Sequence, residues 1–344
     1  MQVWEIKLSK HLNRLDSEDN PLFPSYLTKD AVKTGINVFD CFSFSLQSKE
    51  RFFGCSLPTC PDENQGFHSI ELPESVGSII DENKLCFLAP LKNGEFTRQA
   101  LTFNCGSFPV VLSSPHGGTT RPSNIPDRFG GLKIEEKHVN MILQKICTLL
   151  PSSPSYIYSK ISRFKVDFNR SFLSEEAYNE KSALIARIHA KYHLILRYLI
   201  NTIPPEEYGL LLDLHGFDSK KNSSEARKAD LILGTSFNST LIERNGSYWG
   251  KKELINNLSE AGFSVFPPSI DKAEYGPLSG GMIVRTFTDF PNISAIQLEI
   301  SDKVRHDKDQ RTELAHALAE SLKRIVEEDL DKKGESNESS LMYT

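Results

Sequence analysis

Short uninterrupted hydrophobic runs alternate along the chain with longer stretches of helical periodicity. The clearest run is Leu210–Leu212, which leads into Asp213 and His215 and then Gly216. A short leucine run of this kind, closed by a glycine, is typical of a strand buried on both faces. Residues two apart in a strand point to the same side, so the pattern predicts that Asp213 and His215 share one face.

The same alternation continues through most of the chain after residue 100. Apolar residues recur at helical spacing in some stretches and form short buried runs in others. Buried strands that alternate with helices indicate an α/β fold with a largely parallel sheet. The pattern predicts strands at 108–118 (ending in a glycine-rich turn), 156–168 (one or two strands), 229–234, 263–266 and 294–300, and helices at 132–150, 174–203, 248–262 and 312–328.

Two other regions differ from this pattern. Residues 1–100 carry short apolar runs punctuated by prolines and glycines, which predicts an N-terminal extension, or small β-rich domain, of strands and loops. Residues 331–344 are mostly polar and predict a disordered tail. We therefore expect one α/β domain over residues 101–330.

Composition narrows the class of protein. The chain has 344 residues, 39% of them hydrophobic, which is enough for a sizeable core. The net charge is −5 and no basic run stands out, so a nucleic-acid partner is not indicated. No apolar run approaches the ~18 residues of a membrane helix, and the first residues lack a signal-peptide pattern. We expect a cytoplasmic protein without a membrane partner, and the sequence leaves its oligomeric state open.

The six cysteines do not indicate a disulfide framework in a chain of this length without a secretory signal. Cys55 and Cys60 have four residues between them, but no second cysteine or histidine pair completes a structural zinc site.

His215 has two interpretations. It is either a hydrogen-bonded histidine that closes a strand with Asp213 as its partner, or a metal ligand, because charged groups are costly to bury unless they are paired or bind a metal. The carboxyl ends of strands are where α/β sheets bind ligands, and several polar strand ends in one chain favour a site there. Polar side chains also follow three other predicted strands: His116, Asn169 with Arg170, and Glu299.

Together these residue types indicate metal-assisted hydrolysis. Two histidines and a carboxylate hold zinc and leave a fourth position open for water. Zinc lowers the pKa of that water and polarises a carbonyl oxygen, and Glu299 is the candidate general base. Asp213 would not bind the metal itself but would orient one of the ligands that do. Three arginines are candidates for stabilising an oxyanion or clamping a substrate carboxylate: Arg163, Arg170 and Arg285.

The sequence does not decide whether Glu135 or Glu136 is the third ligand. Both begin the helix predicted at 132–150. On an ideal helix the two acids flank the apolar stripe on opposite sides, so periodicity does not choose between them. Acids in a first helical turn also complement the helix dipole without binding any metal.

His189 and His193 are four apart on a predicted helix, a spacing that can hold zinc. The stretch lacks the glutamate of the His-Glu-X-X-His motif, so a partly buried helix surface is favoured. Ser113 and Ser114 precede Pro-His and do not form a nucleophile elbow, which disfavours a serine hydrolase.

The loop after residue 266 carries Tyr275 and the pair Gly280–Gly281. The glycines either let backbone approach a substrate or make a turn, and Tyr275 either reaches a substrate or caps the core.

Five motifs, in this order, resemble the N-formylglutamate amidohydrolase family, which is related to the zinc carboxypeptidases. The similarity spans about residues 105–310. No motif is specific alone, but five in order with suitable secondary structure are fairly specific. They are Ser114–Gly118, Val166–Arg170, Asp213–Gly216, Gly280–Gly281 and Gln297–Ile300.

The resemblance implies a carboxypeptidase-like α/β fold, in which helices flank a mixed, largely parallel sheet, and one catalytic Zn²⁺. His116 and His215 would be ligands, with Glu136 at the place of the third, and Glu299 would be the general base. The resemblance also implies a substrate-binding group made of Asn169, Arg170 and Arg285, to which we add Tyr275, Gly280 and Gly281.

The resulting hypothesis is a zinc-dependent amidohydrolase that cleaves the amide bond of an N-acyl (N-formyl-like) amino acid or a small peptide-like substrate. Arg163 and Arg170 are expected to assist Glu299 in catalysis. The alternatives are a carboxypeptidase-like metallopeptidase and a non-catalytic binding protein that keeps the fold.

Overall fold

The computed structural model describes the backbone of seven strands between Val3 and Pro90 and of residues 99–341 apart from 222, 245–246 and 289. Side chains are described for residues 99–327 apart from 183, 222, 245–247 and 289, so the Cys55–Cys60 pair lies outside them. The chain divides into two compact units. The first contains residues 1–102, 121–131 and 165–198, and the second contains 103–120, 132–164 and 199–344.

The first unit contains a mixed sheet formed by the early part of the chain. Its strand order is β1-β7-β4-β5-β3-β6-β2, and most neighbouring strands are antiparallel. The strands are β1 (Val3–Glu5), β2 (Lys7–Leu8), β3 (Phe23–Leu27), β4 (Cys41–Leu46), β5 (Arg51–Leu57), β6 (Ile70–Leu72) and β7 (Leu85–Pro90).

A second seven-stranded sheet follows and has the order β15-β12-β16-β11-β9-β10-β8. Strands β10, β9, β11 and β16 are mutually parallel, and β12 runs antiparallel to β16. The predicted mixed, largely parallel α/β sheet is therefore confirmed. Its strands are β8 (Leu101–Asn104), β9 (Phe108–Ser114), β10 (Pro154–Ser159), β11 (Gly209–Phe217), β12 (Leu231–Gly234), β15 (Val265–Phe266) and β16 (Ile293–Ser301), and a separate pair is β13 (Glu243–Arg244) with β14 (Ser247–Tyr248).

Helices lie between these strands and after them. They are α1 (Val139–Leu149), α2 (Ala183–Asn201), α3 (Lys251–Glu260), α4 (Met282–Thr286), α5 (Asp302–His306) and α6 (Lys308–Leu341), with 3₁₀ turns at Glu225–Lys228 and Gly276–Leu278. Within the described residues, none of these helices combines the length and the apolar character that crossing a membrane requires.

One large hydrophobic cluster of the second unit packs on one face of its sheet. Leu210, Leu212 and Leu214 alternate along β11 and pack with Ile142 of α1 and Leu318 of α6 in one hydrophobic cluster. The alternation of side chains along a strand then turns Asp213 and His215 to the opposite face. Every residue of β11 except Gly216 is buried, as expected for a central parallel strand.

Helix α1 begins at Val139, seven residues later than predicted. The helical periodicity of apolar residues starts only at Val139, and the preceding stretch makes tertiary contacts instead. The backbone N–H of Glu136 donates to the carbonyl of His116. The predicted position of Glu135 and Glu136 in a first helical turn is therefore wrong, and a helix dipole does not account for them.

Helix α2 begins at Ala183 and not near Ser174. The residues between form contacts within the first unit. The backbone N–H of Asp167 donates to the carbonyl of Ala177, and Tyr178 forms an isolated bridge with Val166.

Helix α6 extends to Leu341, although the sequence predicts a disordered tail from residue 331. The stretch contains Gly334, Asn337 and three serines beside its two lysines and two glutamates, so helix propensity alone does not explain the extension.

We expect Leu212→Ala to lower the free energy of unfolding by about 2–5 kcal/mol, because it removes a fully buried side chain from the central strand and leaves a cavity. Urea denaturation measures this. The control is Met141→Ala on α1, whose side chain is 52% exposed and whose loss should change stability by less than about 0.5 kcal/mol. Equal effects of the two substitutions would contradict the assigned core.

Candidate metal centre

The site lies where three neighbouring parallel strands of the second unit end. In the strand register, Asp213 of β11 is opposite both Ser113 of β9 and Gln297 of β16, and His215 is opposite Glu299. His116 follows β9 by two residues. Since parallel strands end at the same edge of a sheet, the polar strand ends of this unit come together as ligand sites in α/β sheets do.

Three buried side chains converge here. The Nδ1 atom of His116 lies 3.0 Å from Oε1 of Glu136 and 3.2 Å from Nδ1 of His215. The Nδ1 atom of His215 lies 3.3 Å from Oε2 of Glu136. Among the described residues, these three form a group that offers one nitrogen or oxygen donor each at metal-binding separation.

Glu136 is held from several sides. Its Oε2 accepts a hydrogen bond from the backbone N–H of Gly216 at 2.9 Å, and its Oε1 accepts one from Nη1 of Arg163 at 3.0 Å. Glu135 instead accepts a hydrogen bond from the hydroxyl of Ser162 at 2.5 Å. Of the two acids left open by the sequence, the structure thus brings Glu136 to the two histidines.

Asp213 contacts the far side of the His215 ring. Nε2 of His215 lies 2.8 Å from Oδ2 of Asp213, whose Oδ1 accepts a hydrogen bond from the hydroxyl of Ser113 at 2.7 Å. A carboxylate only accepts hydrogen bonds, so Nε2 carries the proton, and in the neutral ring Nδ1 presents a lone pair toward His116 and Glu136. Partners of this kind orient metal-binding histidines. The contribution of Ser113 was missed from the sequence, where its only signal is a serine that ends an apolar strand.

The donor set is suitable for zinc. Two imidazole nitrogens and one carboxylate oxygen are ordinary zinc ligands, with bonds of about 2.0–2.2 Å, so donors at the corners of a tetrahedron lie about 3.3 Å apart. The observed separations of 3.0, 3.2 and 3.3 Å are close to that edge length.

The pKa values of the two glutamates in the site, Glu136 and Glu299, are shifted in opposite directions. Burial alone would raise the pKa of Glu136, but the neighbouring His116 and His215 outweigh it and hold that pKa well below its usual range. Burial also works against protonation of His215, yet Asp213 and then Glu136 raise its pKa well above the ordinary value. Glu299, also buried, has a raised pKa because desolvation outweighs the nearby histidines.

Glu299 belongs to a short chain of hydrogen bonds. Nε2 of Gln297 donates to Oε1 of Glu299 at 2.8 Å, and the backbone N–H of Gly281 donates to Oε1 of Gln297 at 2.6 Å. The chain connects the predicted Gly280–Gly281 segment to the predicted general base.

Arg285 lies on the short helix α4, and Tyr275 directly precedes the 3₁₀ turn at Gly276–Leu278. Nη2 of Arg285 donates to the carbonyl of Gly280 at 2.5 Å, and its Nε donates to the hydroxyl of Ser236 at 3.1 Å. Gly280 has φ +136, a conformation that favours glycine. Tyr275 packs beside Arg227 and against a small apolar cluster, as in the core interpretation of this residue.

Asn169 and Arg170 belong to the first unit, unlike the donor set. Asn169 is buried, and its backbone N–H donates to the Asp167 carboxylate at 3.0 Å. Nε of Arg170 donates to Glu176 at 3.1 Å. Their role in substrate binding stays a prediction.

His189 and His193 lie on α2 with ring centroids 4.8 Å apart. Nε2 of His189 lies 3.0 Å from the carbonyl of Arg170, and its ring packs among Phe168, Phe172 and Tyr178. Burial lowers the pKa of His189 to about 4. This packing agrees with the interpretation as a buried helix surface.

Comparison with known proteins bears on the fold. No protein-family model matches the sequence, and neither does any curated protein. Similar solved structures include N-formylglutamate amidohydrolase from Ralstonia eutropha JMP134, with 18% identity over 65% of this chain and 99% of that chain and a TM-score of 0.48. The family that the sequence resembles is thus represented among them.

Two further structures show the range of this similarity. A gene product of Agrobacterium tumefaciens has a TM-score of 0.50 at 15% identity and covers 68% of this chain and 96% of that chain. A metallo-carboxypeptidase from Burkholderia cenocepacia has a TM-score of 0.36 at 11% identity, covering 86% of this chain and 83% of that chain. The Agrobacterium structure supports the α/β fold assignment, and at such identities the similarity concerns the fold alone.

Burial of His189 predicts that the protein loses stability on acidification. Its pKa is 6.5 when unperturbed and about 4 in the folded chain, so the unfolded state takes up the proton first. The free energy of unfolding should then fall by up to about 1.4 kcal/mol per pH unit as the pH drops through that interval. Urea denaturation across this range should show a shallower dependence for His189→Gln. The control His316→Gln, at an exposed position, should keep the dependence, and an unchanged slope in His189→Gln would contradict the prediction.

Proposed function

We propose that this protein is a zinc-dependent amidohydrolase that cleaves the amide bond of an N-acyl amino acid or a small peptide-like substrate. The observation that carries the proposal is the buried donor set of His116, Glu136 and His215, with Glu299 opposite His215 on the neighbouring strand. The ordered sequence motifs support the same reaction class.

The metal would be held by Nδ1 of each histidine and by the carboxylate of Glu136. When bound, zinc lowers the pKa of a coordinated water to about 7 and polarises a carbonyl oxygen. Asp213 fixes the His215 ring so that its Nδ1 lone pair stays directed at the other donors.

Glu299 acts as the general base and then as the general acid. Its carboxylate accepts a proton from water as the oxygen attacks the acyl carbon, and it passes that proton to the leaving amine. A carboxyl group with a raised pKa suits both steps, since its pKa lies nearer the working pH. Gln297 occupies Oε1 of Glu299, which limits the orientations that this carboxylate adopts.

Arginines supply positive charge around the reaction. Arg163 donates to Glu136 and lies beside the donor set, where it favours the negative charge that develops in an acyl transfer. Asn169 and Arg170 are proposed to bind the substrate carboxylate. Arg285, the Gly280–Gly281 backbone and Tyr275 are proposed to contact the rest of the substrate.

The proposal predicts one tightly bound zinc ion per chain and a loss of amide hydrolysis in Glu299→Gln of about 10²–10⁴-fold in kcat, because the substitution removes the proton acceptor. Elemental analysis of the purified protein measures the zinc. Hydrolysis is measured on N-formyl, N-acetyl and N-succinyl amino acids and on short peptides.

Four outcomes would contradict it. No zinc in the wild-type protein, or full activity in His215→Ala, excludes the metal mechanism. Activity on peptides with a free C-terminal residue, and none on N-acyl amino acids, identifies a metallopeptidase instead. Zinc without hydrolysis of any of these substrates identifies a non-catalytic binding protein.

A matched pair of substitutions tests the third ligand. Glu136→Gln should weaken zinc binding strongly, since it removes a carboxylate that lies 3.0–3.3 Å from both histidine donors. Glu135→Gln changes the adjacent residue in the same way, but this residue bonds to Ser162 and is not one of the three donors. Zinc affinity is measured by competition with a chelator. A larger loss in Glu135→Gln than in Glu136→Gln would refute the assignment.

A further inference from the structure

The side chain of Arg305 uses all three of its nitrogen positions on backbone carbonyls. Nε donates to the carbonyl of Ile300 at 3.0 Å, Nη1 to that of Lys137 at 3.0 Å, and Nη2 to that of Phe217 at 3.2 Å. The residue is buried, so these bonds are shielded from competing water.

The three carbonyls belong to the three chain segments that carry Glu136, His215 and Glu299; only the segment of His116 is not among them. Each comes one or two residues after a site residue. The pairs are Lys137 after Glu136, Phe217 after His215, and Ile300 after Glu299. One guanidinium therefore links the segment before α1 to the ends of β11 and β16.

The position of Arg305 is itself fixed by the strand that carries Glu299. Helix α5 follows β16 directly, and Ser301 caps it, its hydroxyl accepting a hydrogen bond from the backbone N–H of Val304. The guanidinium is planar with its donors in a rigid fork, so it sets the directions of the three carbonyls as well as their distances. A lysine ammonium at this place cannot reproduce that fork.

Gly216 shows how closely the guanidinium approaches β11. A Cβ atom on Gly216 would come within 2.4 Å of Nε of Arg305. The same glycine donates its backbone N–H to Oε2 of Glu136 at 2.9 Å. The guanidinium thus packs on the peptide that holds the proposed ligand carboxylate.

We propose that Arg305 is a positioning residue of the metal centre. By fixing the three segments against one another, it sets the separation of the donors on Glu136 and His215 and places Glu299 beside them. This inference rests on the proposed metal-dependent function. A role in stability alone would lower the melting temperature but leave the zinc affinity of the folded protein unchanged.

The test compares Arg305→Lys, which keeps a positive charge, with Arg305→Met, which removes it. A third variant, Gly216→Ala, displaces the guanidinium without deleting it. The control is Leu322→Ala, which destabilises the hydrophobic core on α6 and leaves the Arg305 bonds in place. Circular dichroism establishes folding and the melting temperature of each protein.

Two further measurements use the metal ion without any substrate. Zinc affinity by chelator competition should fall about 10-fold or more in both Arg305 variants and in Gly216→Ala, as is usual when outer partners of metal ligands are removed. The visible absorption of bound cobalt(II) should change in the same variants, since it reports coordination geometry. Leu322→Ala should show a lower melting temperature with the wild-type zinc affinity and cobalt spectrum.

The outcomes separate the two claims. Wild-type zinc affinity and cobalt spectrum in the folded Arg305→Lys and Arg305→Met proteins would overturn the positioning role, while leaving the proposed function intact. If neither Arg305 variant folds, Gly216→Ala decides in the same way. A wild-type protein that binds neither zinc nor cobalt overturns the proposed function and this inference with it.

Discussion

The negative charge of a carboxylate that is excluded from water must be compensated by neighbouring donors. In the second unit, that carboxylate is Glu136 at the end of the sheet. An uncompensated buried charge costs at least several kcal/mol. Two imidazoles, the guanidinium of Arg163 and the N–H of Gly216 surround it. Those partners require that β9 and β11 end at the same level and that the chain before α1 remain non-helical.

The parts of the fold that depend on periodicity were predictable from the sequence. The leucines of β11 predicted a buried strand, and strict alternation placed Asp213 and His215 on one face. The carboxyl ends of parallel strands meet at one edge, so His116, His215 and Glu299 could be expected together before any coordinates. These inferences rest on local spacing and on sheet geometry.

Other features depend on tertiary contacts that leave no local signal. The choice between Glu135 and Glu136 required the path of a non-helical segment, which is set by the hydrogen bond from Glu136 to the His116 carbonyl. In the sequence, Arg305 is one of several charged residues in a polar stretch, and no pattern distinguishes it from the others. Its bonds to the two distant carbonyls, those of Lys137 and Phe217, arise only when the segment before α1 and the end of β11 have reached the end of β16.

The distance along the chain between the two histidines has a consequence for synthesis. His116 and His215 are 99 residues apart, yet their Nδ1 atoms lie 3.2 Å from each other. At translation rates of about 5–20 residues per second, the second histidine leaves the ribosome about 5–20 s after the first. During that interval the nascent chain gains Glu136 but still lacks β11, so the three donors come together only after His215 has been made and β11 has joined β9.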